Sequence, residues 1–454
     1  MSSPSSSLDK RRRSTSASTA TNSFSTASSK MSTQKRSTVP SPPQSSVPTS
    51  STTAPTPNSW SKRRYSIRFS PSPPPSISPL TPPPPPQFVK FGLTQEALES
   101  YVPLIEEEVL QYIKTSGRFK GASGTIDIPA AMAEITIFTA SRALQGEEVR
   151  KKLTADFADL YHDLDLGFSP LNALMPWLPI PSNRKRDAAR EKMREVYTEI
   201  IRERRTSQEK ESATHDMITN LMRSTYKNGI PVPDKEIAHM MITLLMAGQH
   251  SSSSASSWIM LRLASEPKVV EELFAEQVSA LGGDLPPLRY RDLEKLPLHQ
   301  NVIKETLRVH SSIHSIMRKV KNPLQIPGTQ VIVPDSHVLL ASPVMTAMSE
   351  QYFPNAATWD PHRWDDRKED EESEDMVDYG YGAVSKGTKS PYLPFGAGRH
   401  RCIGEKFAYL NLGVIVATLV REFKFSNPKD REGVPATDYA VSDAGSLCCC
   451  GLRC

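Results

Sequence analysis

The strongest constraint on this chain is a break in composition near residue 87. From Met1 to Pro86 it holds 17 of the 39 prolines, set among serines and threonines with almost no aliphatic side chain. Such a stretch cannot bury enough apolar surface to offset the entropy of ordering its backbone. Residues 1–87 are therefore expected to form a disordered, Ser/Thr/Pro-rich basic tail. The remainder of the 454 residues is ample for one large core.

Charge follows the same break. Residues 1–86 carry eleven Lys or Arg against a single acid, Asp9, a net of +10, whereas the whole chain is +5, so the remainder is −5. Runs such as "KRRRS" and "SKRRYSIRFS" suit nucleic acid, anionic lipid, or a solvated and phosphorylatable tail. The last is favoured, and nucleic acid is not expected as a partner. The chain has no run of about 18 apolar residues and no signal-peptide core, so no transmembrane anchor is expected. Four of the five cysteines crowd positions 448–454, in a Cys-rich tail spanning 440–454. Cys402 is left alone in the foldable part, with no disulfide framework around it.

Helical periodicity begins after Phe88, where Leu98, Val102, Ile105, Val109 and Ile113 recur at three and four residues. "AAMAEITIFTASRALQG" and "AREKMREVYTEIIRERR" continue it. Between them "LNALMPWLPIP" is apolar but broken by prolines, either a buried connection or a surface that meets a membrane or a ligand entrance. The longest helix is predicted from Asp234, as N-cap, to Pro267. It is apolar on nearly all sides up to Ala247. It then breaks its own rule at "AGQHSSSSASS", which sets Gly248, His250 and serines where leucine would propagate the helix better. "EKLPLHQNVIKETLRVH" and "EKFAYLNLGVIVATLVREFKF" read as further helices, "QIPGTQVIVPDSHVLLASPVMTAM" as short strands, and "KEDEESEDM" as an acidic loop. The fold class is mainly α with a small β part.

The chemistry concentrates in "PFGAGRHRCIG", residues 394–404. Gly396, Gly398 and Gly404 let the backbone fold tightly, while Arg399, His400, Arg401 and the helix that starts near Cys402 supply positive field. That combination favours a thiolate. A nucleophile would need a base beside it, which only His400 could provide. Zinc would need further ligands, and none stands at zinc-finger spacing. A single thiolate suits one axial position of a haem iron, with small residues leaving room for a flat macrocycle.

"FGAGRHRCIG" resembles the haem-binding loop of the cytochromes P-450, Phe-x-x-Gly-x-x-x-Cys-x-Gly. "KETLR" supplies that family's Glu-x-x-Arg pair at Glu305 and Arg308, and "FPNAATWDPHRW" its further arginine, Arg363. "LLMAGQHSSSSASSW" is similar to the central helix of the fungal sterol 14α-demethylases, which place a histidine where most of the superfamily has an acid. "HSSIHSIMRKV", "YHDLDLGFSPLNALMPWLPIPSNRKRDAAR" and "FVKFGLTQEALESYVPLI" are also similar to that group. The resemblance spans residues 88–439 and implies a cytochrome P-450 catalytic domain. The family's anchor, early sheet and first two helices find no counterpart ahead of "FVKFGL", nor does its final hairpin after "EGVPATDY".

The resemblance implies haem b as cofactor, with Cys402 as the iron ligand, Arg318 and His400 on the propionates, and Phe395 and Gly396 shaping the loop. Glu305, Arg308 and Arg363 would form a buried carboxylate bracketed by two guanidiniums. Gly248 would open space over the haem, and His250 and Ser251 would hydrogen-bond the sterol and the dioxygen-side waters. Phe168, Ala247, Ile313, His314, Ser315 and Met317 would line the sterol cavity. The implied reaction is the oxidative removal of the 14α-methyl group of lanosterol or eburicol in ergosterol biosynthesis, releasing formate. It would use dioxygen and electrons passed from NADPH by a separate NADPH–cytochrome P-450 reductase. Azole-type inhibitors and a cytosol-facing place on the endoplasmic reticulum membrane belong to the same implication. A haem- or sterol-binding chain without turnover, or a truncated gene product, shares the loop and is the alternative; it differs in whether a closed, water-shielded pocket exists.

Overall fold

The computed structural model describes residues 21–25, 93–120, 123–153, 155–167, 171–172, 175, 177–206, 216–226, 228–365, 376–378, 383–385 and 390–427. Helix α1, Gln95–Thr115, starts where the Thr94 side chain accepts the Ala97 N–H. It buries the stripe Leu98, Val102, Ile105 and Val109 that the spacing predicts. Strand β2, Thr125–Asp127, ends on Asp127, whose carboxylate accepts from Ala130 N and caps helix α2, Ile128–Ala140. That helix runs on into a π-turn, Ser141–Gln145, closed by Gly146 at φ +101°. A Cβ at Gly146 would collide with the Arg204 guanidinium and the Asp216 carboxylate, so only glycine fits the bend.

Past the bend come α3, Glu147–Lys152, α4, Ala155–Asp165, α5, Pro181–Thr206, and α6, Met217–Arg223. Arg204 ties three of them together, donating to Asp216 Oδ1 at 2.7 Å and to Glu148 Oε2 at 2.7 Å. Leu171, Met175 and Trp177 of the proline-broken segment are exposed, Trp177 by 66%. Asn172 in the same segment is buried.

Helix α7, Asp234–Ser265, runs through both hydrophobic clusters: Ile237, Met241 and Leu245 belong to one, Ile259, Met260 and Leu263 to the other. Its cap differs from expectation. Pro233 holds the N-cap position and Asp234 is the first helical residue, accepting from Arg205 Nη2 at 2.7 Å. The fixed φ of proline and the ion pair do the work assigned to an aspartate cap. The helix ends before Pro267, which opens α8, Pro267–Leu281. Then follow α9, Tyr290–Leu293, α10, Pro297–Val309, α11, Pro343–Ala347, and α12, Glu405–Glu422. Among the described residues no helix is long and apolar enough to cross a membrane.

The strands are short, as the sequence predicts, but Pro343–Ala347, read with them, is the helix α11, opened by its proline. β3, Ile316–Lys319, pairs antiparallel with β6, Val338–Ala341, placing Ile316 opposite Ala341. β4, Leu324–Gln325, pairs with β5, Ile332–Val333, and β7, Met376–Asp378, with β8, Ala383–Ser385. β9, Lys424–Ser426, follows α12. Between β2 and β9, parallel to both, lies β1, Thr21–Ser25. These five residues depart from the disorder expected of the tail. β2 and β9 each offer an edge of unpaired backbone groups, and ladder bonds to the main chain make little demand on composition. The acidic run 368–375 and the Cys-rich end lie outside the described residues.

A buried polar network locks α1, α8, α10 and α12. Arg421 Nε donates to Gln277 Oε1 at 2.6 Å and Nη1 to Glu106 Oε1 at 3.2 Å, while Gln277 Nε2 donates to Ala417 O at 3.1 Å. Gln277 Nε2 also faces His299 Nε2 at 3.0 Å, and His299 Nδ1 lies 2.8 Å from Glu276 Oε2. An amide nitrogen only donates, so His299 accepts at Nε2 and carries its proton on Nδ1. Burial pushes the His299 pKa below 6.5, outweighing Glu276, which raises it. The folded state therefore stays neutral where the unfolded chain takes up a proton. This contribution is complete above the unfolded pKa and is lost as pH falls below it, by at most about 1.4 kcal/mol per pH unit. The urea midpoint should fall between pH 7.5 and 5.5, and less steeply in His299→Gln.

Candidate active site

Helix α10 places Glu305 and Arg308 one turn apart on its buried face. Arg308 donates to both Glu305 oxygens, Nε to Oε2 at 2.9 Å and Nη2 to Oε1 at 2.7 Å, with neither side chain exposed. Its remaining donors reach Ala347 O at 2.8 Å, Ala356 O at 2.7 Å and Thr358 O at 3.1 Å. Arg363, on the turn Pro361–Trp364, brings Nε to 3.3 Å from Glu305 Oε1 and holds Pro354 O and Asn355 O with its other nitrogens. Asp360 N at 3.0 Å and Trp364 Nε1 at 3.0 Å complete the ring of donors.

Aromatic rings carry this fixed point to the cysteine loop. Trp364 meets Tyr392 edge-on at 5.0 Å, the Tyr392 and Tyr409 hydroxyls are 3.1 Å apart, and Tyr409 packs on Phe395 at 5.3 Å. Burial, then the neighbouring Tyr409, hold the Tyr392 phenol far above its ordinary pKa, so it stays neutral. After Phe395 the backbone turns through Gly396 at φ +72° and Gly398 at φ +66°, a conformation that favours glycine. The loop closes with Cys402 N donating to Phe395 O at 2.9 Å.

The Cys402 side chain is exposed, and α12 begins three residues later at Glu405. A Cβ added at Gly404 would stand 3.7 Å from Cys402 Sγ, and one at Gly396 3.7 Å from Ile316 Cδ1. The second contact sets the start of β3 against the loop, and with it Met317 and Arg318, both exposed. His400 is exposed as well. Arg401 is matched by Glu405, with Nε to Oε2 at 2.7 Å and Nη2 to Oε1 at 2.9 Å, so its charge adds less to the field at the sulfur than the sequence suggests.

Midway along α7, Ala247 is exposed and a Cβ added at Gly248 would meet nothing within 4 Å. Ser251 Oγ bonds back to Ala247 O at 3.1 Å. His250 Nε2 lies 2.7 Å from Asp165 Oδ1 on α4, and its ring packs on Tyr161 at 5.6 Å. The sequence aims His250 at the sterol and dioxygen-side water; the structure engages its Nε2 with a carboxylate. Ile313, His314 and Ser315 sit half-buried on the turn between α10 and β3, with His314 Nδ1 at 2.5 Å from Ser315 Oγ. Phe168 lies outside the described residues.

Trp364, Tyr392, Tyr409 and Asp165 escaped the sequence reading. Trp364 stands beside Arg363 and was open to it, whereas Asp165 is 85 residues from His250 and carries no local signal.

Among the described residues no three His, Cys, Asp or Glu side chains gather as a metal cluster. Among the described residues, one exposed cysteine at Cys402, an opening in α7 at Gly248 and the exposed Arg318 and His400 fit a haem held by one thiolate, and do not fit zinc. The class defined is that of a helical haem-thiolate protein. The family model described as "Cytochrome P450" matches residues 86–441, and the chain belongs to that family. It is 70% identical over 362 residues to a sterol 14-alpha demethylase of Aspergillus flavus, covering 79% of this chain and 70% of that one. It is 65% identical over 360 residues to an eburicol 14-alpha-demethylase of Penicillium italicum, covering 78% and 70%. The retinoic acid-bound cyanobacterial CYP120A1 structure shares the fold, with a TM-score of 0.59 at 20% identity over 74% of this chain and 70% of that one.

Replacing Arg308 with Leu strands the Glu305 carboxylate in the core. The expected cost is about 3–5 kcal/mol of stability with loss of haem uptake, and Arg308→Lys should recover little because it cannot supply the fork. Urea unfolding and haem content per chain measure both.

Proposed function

We propose that this chain is a sterol 14α-demethylase, a monooxygenase that removes the 14α-methyl group of lanosterol or eburicol oxidatively. The observation that carries the reading is Cys402, exposed at the head of α12 in a chain 70% identical to a protein named for that activity. When bound, haem b supplies the iron at which dioxygen is activated, and thiolate ligation favours O–O cleavage.

The chain's residues do the rest. Cys402 holds the iron, and Arg318 and His400 take the propionates. Ala247 and Gly248 leave room on α7 for dioxygen and the sterol methyl group. Asp165 fixes the His250 ring at Nε2 and shares a proton with it. Both side chains are partly exposed, so solvent can replenish that proton. Ser251, next along the helix, extends the path. Ile313 and Met317 offer apolar contact to the sterol, while His314 and Ser315 are pinned to each other beside it. Phe168 is assigned to the same wall. Electrons come from NADPH through a separate reductase. The exposed Leu171, Met175 and Trp177 form the patch that meets the endoplasmic reticulum membrane. Azole-type nitrogen ligands would compete for the iron.

The reduced, carbon monoxide-treated protein should give the Soret band of a thiolate-ligated haem, absent in Cys402→Ala. Formate release from eburicol with a reductase then tests turnover. In His250→Ala kcat should fall about 10²-fold with the sterol KM within twofold. Intact thiolate-ligated haem without product would sink the demethylase reading in favour of a binding chain without turnover.

A further inference from the structure

We infer that His310 is a positioning residue for the sterol-facing turn, a neutral imidazole that locks Ile313–Ser315 to the central helix α7. It is the C-cap of α10, 3% exposed, with its N–H on Thr306 O at 2.8 Å. Two residues of α7, four apart in the chain, grip its ring. Trp258 stacks on it with centroids 4.0 Å apart and planes 1° from parallel, and Arg262 Nε lies 3.0 Å from His310 Nε2.

A guanidinium nitrogen only donates, so His310 must accept at Nε2, with its proton on Nδ1. Burial pushes the His310 pKa down to about 3, and the cations Arg262 and Arg308 push the same way. Burial lowers the Arg262 pKa too, against the pull of Glu266 and Glu305. The pair is thus one cation and one neutral acceptor, and no second charge has to be buried with it. Histidine meets both demands, stacking and accepting. Phenylalanine would stack but leave Arg262 Nε without its acceptor; glutamine would accept but not stack; lysine would repel.

The turn follows at once. Ser311 is buried and its Oγ donates to Ile313 O at 3.2 Å; His314 and Ser315 come next, then Ile316, which packs on the Gly396 position of the cysteine loop. No helix or strand intervenes between His310 and these residues to absorb a shift. The clamp therefore sets how far Ile313–Ser315 stand from the open stretch of α7 at Ala247 and Gly248. The clamp runs to Trp258 and Arg262 of α7 and not through the loop that presents Cys402, so its effect should separate from haem retention.

The inference rests on the sterol reading for its kinetic consequence, not for its geometry. The haem-loaded wild type, His310→Phe and His310→Gln are compared by amide hydrogen exchange over residues 311–316, by haem content and carbon monoxide spectrum, and by sterol KM and kcat. In His310→Phe exchange over 311–316 should quicken about tenfold and sterol KM rise about tenfold, as expected for one lost bond to a charged group. The thiolate band and kcat per haem should stay within twofold. His310→Gln restores the acceptor and should bring both effects back to about threefold. Unchanged exchange over 311–316 in His310→Phe would overturn the inference, as would activity lost only in step with haem at constant KM. If the wild type turns over no sterol, the demethylase reading fails, and exchange alone decides whether the clamp positions the turn.

Discussion

Glu305 is a carboxylate without exposed surface, and the site depends on its not being left alone there. A bare charge in that position would cost several kcal/mol, so the surrounding chain has to converge on it with donors. Those donors come from α10 itself and from the turn 360–364, and the second face of Arg308 donates in turn to the carbonyls of residues 347, 356 and 358. A long stretch with little regular structure is thereby held at defined points. It gains its order from one buried charge rather than from helix or sheet ladders.

The order passes onward because Trp364 belongs to both systems. Its indole N–H is committed to Glu305 and its ring to an edge contact with Tyr392, which cannot move without disturbing Tyr409 and then Phe395. Phe395 O in turn receives the Cys402 N–H. The thiol is presented outward by a loop whose own bonds are few, so its orientation is inherited from a carboxylate that never touches it. This explains how glycines at φ +72° and +66° can be tolerated next to a ligand that needs a fixed direction.

How much of this was legible in the sequence depends on the range of each interaction. The stripe of α1 is set within a few residues and reads correctly, whereas Pro343–Ala347, read with the short strands, is a helix because a proline at its start favours one. The Glu305–Arg308 pair is also local, but its burial is not, and spacing alone would have left it an ordinary helix-face pair. Asp165, Tyr392 and Tyr409 act across distant segments, where no periodicity reports them. At Asp234 a good cap residue lost its expected role because Pro233 already fixed the backbone. At Thr21–Ser25 composition pointed to disorder while two strand edges offered backbone partners.

Helix α7 shows the same trade from the other side. Gly248 and the serines after it weaken the helix where the open stretch is needed, since glycine costs about 1 kcal/mol against alanine and serine competes for helix carbonyls. The compensation is lateral. Gln249 donates to Ala133 O at 2.8 Å, His250 is held by Asp165, and a few turns on Trp258 and Arg262 hold His310. The anchors tie α7 to α2, α4 and α10 in turn. A helix that supplied its own stability through leucines there would have had to fill the space that the chemistry requires. The polar anchors let it stay open, and they explain why the departures from helix propensity and the long-range side-chain bonds occur in the same stretch between Ala247 and Arg262.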